Sequence, residues 1–176
     1  MKSGGYGILW YMKILAIDPG YDRVGVAVIE KHNPPASGER ESLLFSACIE
    51  TNRREDFYAR VKQVQSELKI ILSEYQPDCM VMEELYFAKN SPTALRVAEA
   101  RGVISGVAVE SNIPVYEIHP NHVKIAITGY GAAKKDDMFF MLSKLIDLGN
   151  KKRLDDEIDA ISVGIAYLAH EKTMHL

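Results

Sequence analysis

An α/β fold, a mixed sheet flanked by helices, is the architecture this sequence predicts, and three observations predict it. Short apolar runs such as "KILAID", "DCMVME" and "IPVYEI" are interleaved with segments of helical period, and continuous apolar runs suit strands covered on both faces. The order along the chain is three strands, helix, strand, helix, strand and then helices, a layered α/β arrangement. The chain's 176 residues and 47% hydrophobic content match one globular domain, which at this size buries about 70% of its unfolded surface.

Each element has its own signal. "KILAID" (Lys13 to Asp18) is a buried strand stopped by Pro19 and Gly20. "RVGVAVIE" and "SLLFSACIE" follow as strands on either side of the loop "KHNPPASGERE", giving an antiparallel meander. From Arg54 the period changes: Phe57, Val61, Val64, Leu68 and Ile71 recur at helical spacing until Gln76 and Pro77. Asp78 to Glu83 is a fourth strand. Ser91 then caps a helix with Pro92 at its first position and small residues Ala94, Ala98, Gly102 and Gly106 along it. "IPVYEI" is a fifth strand. A short helix over His119 to Thr128, a loop "TGYGAAKKDD", a helix from Lys135 to Leu148 and a last helix over Arg153 to His170 complete the chain. The domain reading is an N-terminal extension over 1–12, one domain over 13–172 and a tail over 173–176.

Composition narrows the function. A net charge of −3 does not advertise a nucleic-acid binder in bulk, so local charge must decide. From His119 to Arg153, Lys124, Lys134, Lys135, Lys144, Lys151, Lys152 and Arg153 stand against Asp136, Asp137 and Asp147. That segment is basic although the chain is not, which localises a phosphate-contacting surface; a solvated helical face is the plain alternative for any one lysine. Cys48 and Cys79 lack metal-ligand spacing and read as buried free thiols in a reducing compartment. The run "GILWYM" is too short for a signal segment, so the expected setting is cytoplasmic with no membrane partner.

The acids carry the chemistry. The last helix opens with Asp155, Asp156, Glu157 and Asp159. Acids in a first turn can simply offset the helix dipole, and Asp155 and Glu157 fit that reading. Asp156 and Asp159 share a face, on a helix whose other side carries Ile158, Ile161, Ile165 and Leu168, so that face opens toward the interior or a cleft. Asp18 and Glu83 each end a strand, where sites gather in α/β sheets. Asp18 before Pro-Gly could instead be a turn former, and alternation lets only one of Glu83 and Glu84 face a shared site. Carboxylates about 4 Å apart repel by about 4 kcal/mol at an effective dielectric near 20, so a cluster needs protons or cations. Hard oxygen donors suit Mg²⁺ or Mn²⁺, and a pair of such ions clamps the attacking and leaving oxygens of a phosphoryl displacement. The chemistry expected is phosphodiester hydrolysis.

Four segments, "ILAIDPGYDRVGVAVIE", "PDCMVMEELYFAKNSPTALRVAEARGV", "VKIAITGYGAAKKDDM" and "DDEIDAISVGIAYLAH", occur in the order and spacing of a known family. The chain resembles the RuvC-type Holliday junction resolvases, dimeric endonucleases of the ribonuclease H-like superfamily. The resemblance implies a ribonuclease H-like fold with a five-stranded sheet and catalytic, metal-binding carboxylates at Asp18, Glu83, Asp156 and Asp159, selecting Glu83 over Glu84 and Asp156 over Asp155. It implies two Mg²⁺ per subunit with Mn²⁺ able to substitute, a base-stacking aromatic at Tyr86, and basic positions required for activity at Lys124 and Lys135. Lys89 and Lys134 join these as DNA-binding candidates, and Arg96 and Arg101 could extend the surface. Four-way junction DNA, a homodimer, and the RuvA and RuvB branch-migration proteins are the implied partners; the small-residue helix after Ser91 is the candidate dimer surface, with intramolecular packing as its plain alternative. Glu84, Asp136 and Asp137 depart from the family by adding negative charge near the DNA path. Two other classes stand beside this reading: an actin-like ATP-binding domain, which would need a second phosphate loop and an adenosine motif not found here, and a non-catalytic binder of branched DNA, disfavoured by the presence of all four acids.

Overall fold

The structure is a computed structural model and describes residues 10–36, 39–85 and 94–174. It contains β1 (Trp10–Asp18), β2 (Arg23–Ala36), β3 (Glu39–Glu50), α1 (Phe57–Tyr75), β4 (Cys79–Glu83), α2 (Ala94–Glu110), β5 (Val115–Ile118), α3 (Pro120–Thr128), α4 (Lys135–Leu145) and α5 (Asp155–Met174). The five strands form one mixed sheet in the order β3-β2-β1-β4-β5. β1, β2 and β3 are the antiparallel meander, whereas β4 and β5 run parallel to β1.

Alternation divides the core in two. Ile14, Ala16, Ala27, Ile29, Cys79 and Val81 face α3, α4 and α5. Leu15, Ile17, Val26, Val28, Met80 and Met82 face α1 and α2. Both faces of the central strands are therefore apolar, as their unbroken hydrophobic runs require. α5 lies across the first of these faces with Ile161, Val163, Ala166 and Leu168 fully buried, each large apolar side chain contributing about 1.5–3 kcal/mol by leaving water.

Three of the strand and helix ends that differ from the sequence reading have a visible physical cause. β1 begins at Trp10 because β2 continues past Glu30 and pairs with it as far as Trp10↔Asn33. The loop expected between β2 and β3 is mostly a hairpin extension closing at Ala36↔Glu39, with a register shift between Lys31 and Ala36; Pro34 and Pro35 lie beyond the β1 pairing, where a missing N–H disrupts least. α4 stops at Leu145 because Ile146 adopts an extended conformation and is itself buried. Asp147 then accepts from Gly149 N, in a turn whose left-handed φ of 60° suits glycine.

The end of α1 at Gln76 and the start of α3 at His119 agree with the sequence reading. Asp56 caps α1 by accepting from Tyr58 N and Ala59 N, and Gln76 ends it in the left-handed region. His119 caps α3, with Pro120 in its first turn.

Candidate active site

The period of two explains why two distant acids meet. Asp18 continues the parity of Ile14 and Ala16, and Glu83 that of Cys79 and Val81, so both belong to the face covered by α5. β1 and β4 are adjacent and parallel, with Ile17 opposite Met82, so both acids leave the sheet at the same edge. Glu84 has the opposite parity and lines a separate groove with Arg101, Gly102 and Glu117. Glu83 instead lines a cleft of about 290 Å³ with Asp159, Lys124 and Lys135.

α5 brings the second pair. Its first turn rests directly on β2 at Gly25, where a Cβ would lie 1.8 Å from the Asp156 carbonyl oxygen and 3.2 Å from the Asp18 Cβ. Only a residue without a side chain permits that approach. The turn after β1 is held from the other side by the buried guanidinium of Arg60, which donates to Tyr21 O, to Asp22 and to Thr51 Oγ1. Thr51 Oγ1 in turn donates to Tyr21 O at 2.7 Å.

The electrostatics report a shared site. Burial, then the charges of Asp159, Glu83 and Asp156, raise the Asp18 carboxyl from 3.8 to about 7, with Lys135 opposing. Glu83 is raised by burial and by Asp159, against Lys124 and Arg101. Asp159 is raised by burial, against the adjacent Lys135. Burial pushes Lys135 down, but Asp155 and Asp159 together outweigh it and hold that ammonium above its usual range. Asp155 itself is exposed and pairs with Lys135 at 3.1 Å.

Two cations pair with the acids of α5. Lys135 Nζ is 3.2 Å from Asp159 Oδ2. Arg23 Nε is 3.3 Å from Asp156 Oδ2, close enough for an ion pair but misaligned for a hydrogen bond, and that buried oxygen has no hydrogen-bond partner. Among the described residues no three acidic, histidine or cysteine side chains are gathered closely enough to hold an ion in this arrangement. The donor set is nonetheless the one a hard divalent cation takes, with carboxylate oxygens only, and the orphaned buried oxygen of Asp156 is a group a cation would satisfy. The residues present fit such an ion once side-chain rotation exchanges the two basic groups for it.

The comparisons agree with this geometry. The sequence model described as "Crossover junction endodeoxyribonuclease RuvC" matches residues 14–167. The chain belongs to the RuvC family. Curated RuvC relatives include that of Thermotoga petrophila, 40% identical over 152 residues, covering 86% of this chain and 89% of the relative. The RuvC of Desulforamulus reducens is 40% identical over 162 residues, covering 92% and 96%. The solved structure of Thermus thermophilus RuvC superposes with a TM-score of 0.81 at 25% identity over 93% of this chain and 97% of that one. The same protein in complex with Holliday junction substrate gives 0.82 at 24%, covering 93% and 96%. The ribonuclease H-like fold expected from the sequence is the fold of this RuvC family member.

The basic candidates separate into three groups. Lys124 and Lys134 are exposed, and Lys135 reaches into the cleft beside Lys124. Tyr86 and Lys89 lie outside the described residues, as do the expected helix cap Ser91 and Pro92. Arg153 and Arg101 are engaged inside the protein, and Lys151, itself half exposed, reaches inward with its ammonium. Lys151 and Arg153 pair with Glu157 at 2.8 and 3.2 Å. Arg101 is buried, donating from Nη1 to the Glu83 carbonyl and from Nη2 to Glu117 at 2.7 Å. It steadies the end of β4 rather than extending the surface. Glu157 is likewise no solvated dipole partner but nearly inaccessible.

Sequence reading missed Gly25, Arg23 and the inward turn of Arg101. Gly25 had a usable signal, an interior strand glycine of the same parity as Ala27 and Ile29, which marks a close backbone approach. Arg23 and Arg101 had none, because an arginine's direction follows from tertiary partners.

Proposed function

We propose that this chain is a structure-selective endonuclease that resolves Holliday junctions in DNA recombination and repair, cutting two strands symmetrically by metal-dependent phosphodiester hydrolysis. One observation carries it: acids from three separate elements converge, so that burial together with the charges of Asp159, Glu83 and Asp156 raises the Asp18 carboxyl, and Asp159 likewise raises Glu83. The chain's relatives, named crossover junction endodeoxyribonucleases, support the substrate class.

The four carboxylates would hold two Mg²⁺ ions, with Mn²⁺ as a substitute, which supply the polarisation that lets water attack phosphorus and that stabilises the departing 3′-oxygen. Asp18 and Glu83 act from the rigid sheet edge and Asp156 and Asp159 from the helix, so the two sides of the site are set by independent elements. Lys135 and Lys124 line the same cleft and meet the phosphate. Lys134, Lys89 and Tyr86 extend the DNA surface, Tyr86 by stacking on a base at the crossover, worth about 1–3 kcal/mol.

Symmetric cutting calls for two sites related by a two-fold axis. α2 presents a stripe of Leu95, Gly102, Gly106 and Val109, in which Leu95 and Val109 are 69% and 66% exposed and a Cβ added at either glycine meets nothing within 4 Å. A second copy packed there forms the homodimer. RuvA and RuvB are the proposed partners in branch migration, and the setting is cytoplasmic.

The test is incubation with synthetic four-way junctions with and without Mg²⁺, scored for paired nicks, alongside Asp18→Asn. The expected result is metal-dependent symmetric nicking that the variant loses while still binding the junction. Junction binding without cleavage across several sequences would show a branched-DNA binder instead.

A further inference from the structure

A second ionic cluster lies directly behind the cleft, and neither the four acids nor the DNA surface uses it. Glu157 follows Asp156 and precedes Asp159 by two residues, yet its side chain turns to the opposite side of α5, toward β3. There its Oε1 accepts from Ser46 Oγ at 2.5 Å and from Lys151 Nζ at 2.8 Å, and Arg153 Nε lies 3.2 Å from it. The cations are bound in their own right. Arg153 Nε donates to Ser46 Oγ at 3.0 Å, Lys151 Nζ donates to Ser46 O at 2.9 Å, and Arg153 Nη1 donates to the carbonyls of Leu148 and Lys151. The Glu157 and Arg153 side chains are only 4% and 10% exposed, so this is a buried pair, with the half-exposed Lys151 completing it from the solvent side. A carboxylate buried this far persists only when its charge is matched, and here two cations and a hydroxyl converge on Oε1 from β3 and from the segment entering α5.

We propose that Glu157 is a positioning residue: clamped by Ser46, Lys151 and Arg153, it fixes the first turn of α5 against β3 and thereby sets where Asp156 and Asp159 present their oxygens to a divalent cation. The inference rests on the metal-dependent reading of the site. Its mechanical basis is that the first turn is held at two separate points. The Asp156 carbonyl sits on the bare backbone of Gly25 in β2, and the Glu157 carboxylate is tied to Ser46 in β3. Ser46 pairs with Ala27 on β2, so the two anchors lie on neighbouring strands. Together they fix both the depth and the rotation of the turn. Releasing the Glu157 anchor leaves the turn free to roll about the Gly25 contact, and roll is the motion that moves the Asp156 and Asp159 oxygens relative to Asp18.

The network also removes two cations from the DNA side. Lys151 and Arg153 belong to the basic segment by sequence, but here they neutralise Glu157.

The deciding experiment measures Mn²⁺ binding by calorimetry on the DNA-free chain, with thermal unfolding and junction binding in Ca²⁺ recorded in parallel. Glu157→Gln keeps the shape and an acceptor for Ser46 but loses the charge. Groups that orient metal ligands typically alter affinity 10- to 100-fold, and an effect relayed through the backbone belongs near about 10-fold weaker Mn²⁺ binding. Junction binding stays unchanged, and cleavage recovers to within about threefold of the wild type at saturating Mn²⁺. Ser46→Ala, a smaller change that leaves the ion pairs, shifts Mn²⁺ affinity about two- to threefold in the same direction and serves if Glu157→Gln does not fold. A folded Glu157→Gln with Mn²⁺ affinity within about twofold of the wild type, or a Ser46→Ala with no shift when Glu157→Gln does not fold, overturns the proposal. Failure of the wild-type chain itself to bind Mn²⁺ would instead overturn the metal reading on which the proposal stands.

Discussion

Replacing Asp18 by asparagine should make the metal-free protein more stable while abolishing its cleavage. In the folded chain the Asp18 carboxyl is raised from 3.8 to about 7, by burial first and then by Asp159, Glu83 and Asp156. The folded form therefore binds its proton more tightly than the unfolded form, and the stability this contributes is complete below about pH 4 and is lost as pH rises through 7. At pH 8 the carboxylate is ionised in both states, and its ionisation in the fold costs about 4 kcal/mol at 1.36 kcal/mol per pH unit, an upper bound. The neutral amide of the variant carries no such cost. At pH 4.5 the same linkage leaves a difference of only about 1 kcal/mol. In chelator at pH 8, the melting temperature of Asp18→Asn should exceed that of the wild type by up to roughly 8–16 °C, at about 2–4 °C per kcal/mol for a chain of this size, and the gap should shrink several-fold at pH 4.5. Mg²⁺ should narrow the gap, since an ion at a hundred times its dissociation constant stabilises the wild type by about 2.7 kcal/mol and so offsets more than half of it. Scanning calorimetry at both pH values, with chelator and with Mg²⁺, measures all of this. A variant no more stable than the wild type at pH 8, or an advantage equal at both pH values, refutes the crowding of negative charge at Asp18.

Gly25→Ala places a methyl 1.8 Å from the Asp156 carbonyl; α5 must retreat, costing about 1–3 kcal/mol by urea denaturation together with most of the metal-dependent cleavage. Arg101→Gln leaves the buried Glu83 carbonyl without its charged donor, so a loss of about 1–3 kcal/mol is expected in the same assay, with cleavage falling more than junction binding. Lys124→Ala should lower the slope of log junction affinity against log salt by about 1. Lys151→Ala should leave that slope unchanged in fluorescence anisotropy, because Lys151 already neutralises Glu157.

What the sequence made legible was what depends on period. The strand and helix cores followed from apolar alternation and helical spacing, and the parity that puts Asp18 and Glu83 on one face while turning Glu84 to the other is itself a period-two consequence. Asp156 and Asp159 were separable from Asp155 by their shared helix face, although the family resemblance made the choice. What stayed hidden was set by contacts between distant segments. The hairpin beyond Glu30 looked like a loop because Pro34 and Pro35 read as breakers, yet pairing with β1 had already ended there. Arg101, Lys151 and Arg153 read as surface cations because charge alone does not reveal their acidic partners, Glu117 at the surface and Glu157 inside. Lys135 was legible as basic but not as the partner of Asp159, since that contact joins two helices whose relative placement no local pattern encodes.

The facing of β1 and β4 also sets a limit on how such a chain can change in length. A single residue inserted or deleted in either strand between its hydrogen-bonded register and the terminal acid would rotate that acid through to the α1–α2 side, whatever its identity. A change of two would restore the facing but displace the oxygen by about 7 Å along the strand. The count of residues from Ile14 to Asp18 and from Cys79 to Glu83 is thus as strictly constrained as the carboxylates themselves, so tolerated gaps between relatives belong in the hairpin tip and the connecting loops.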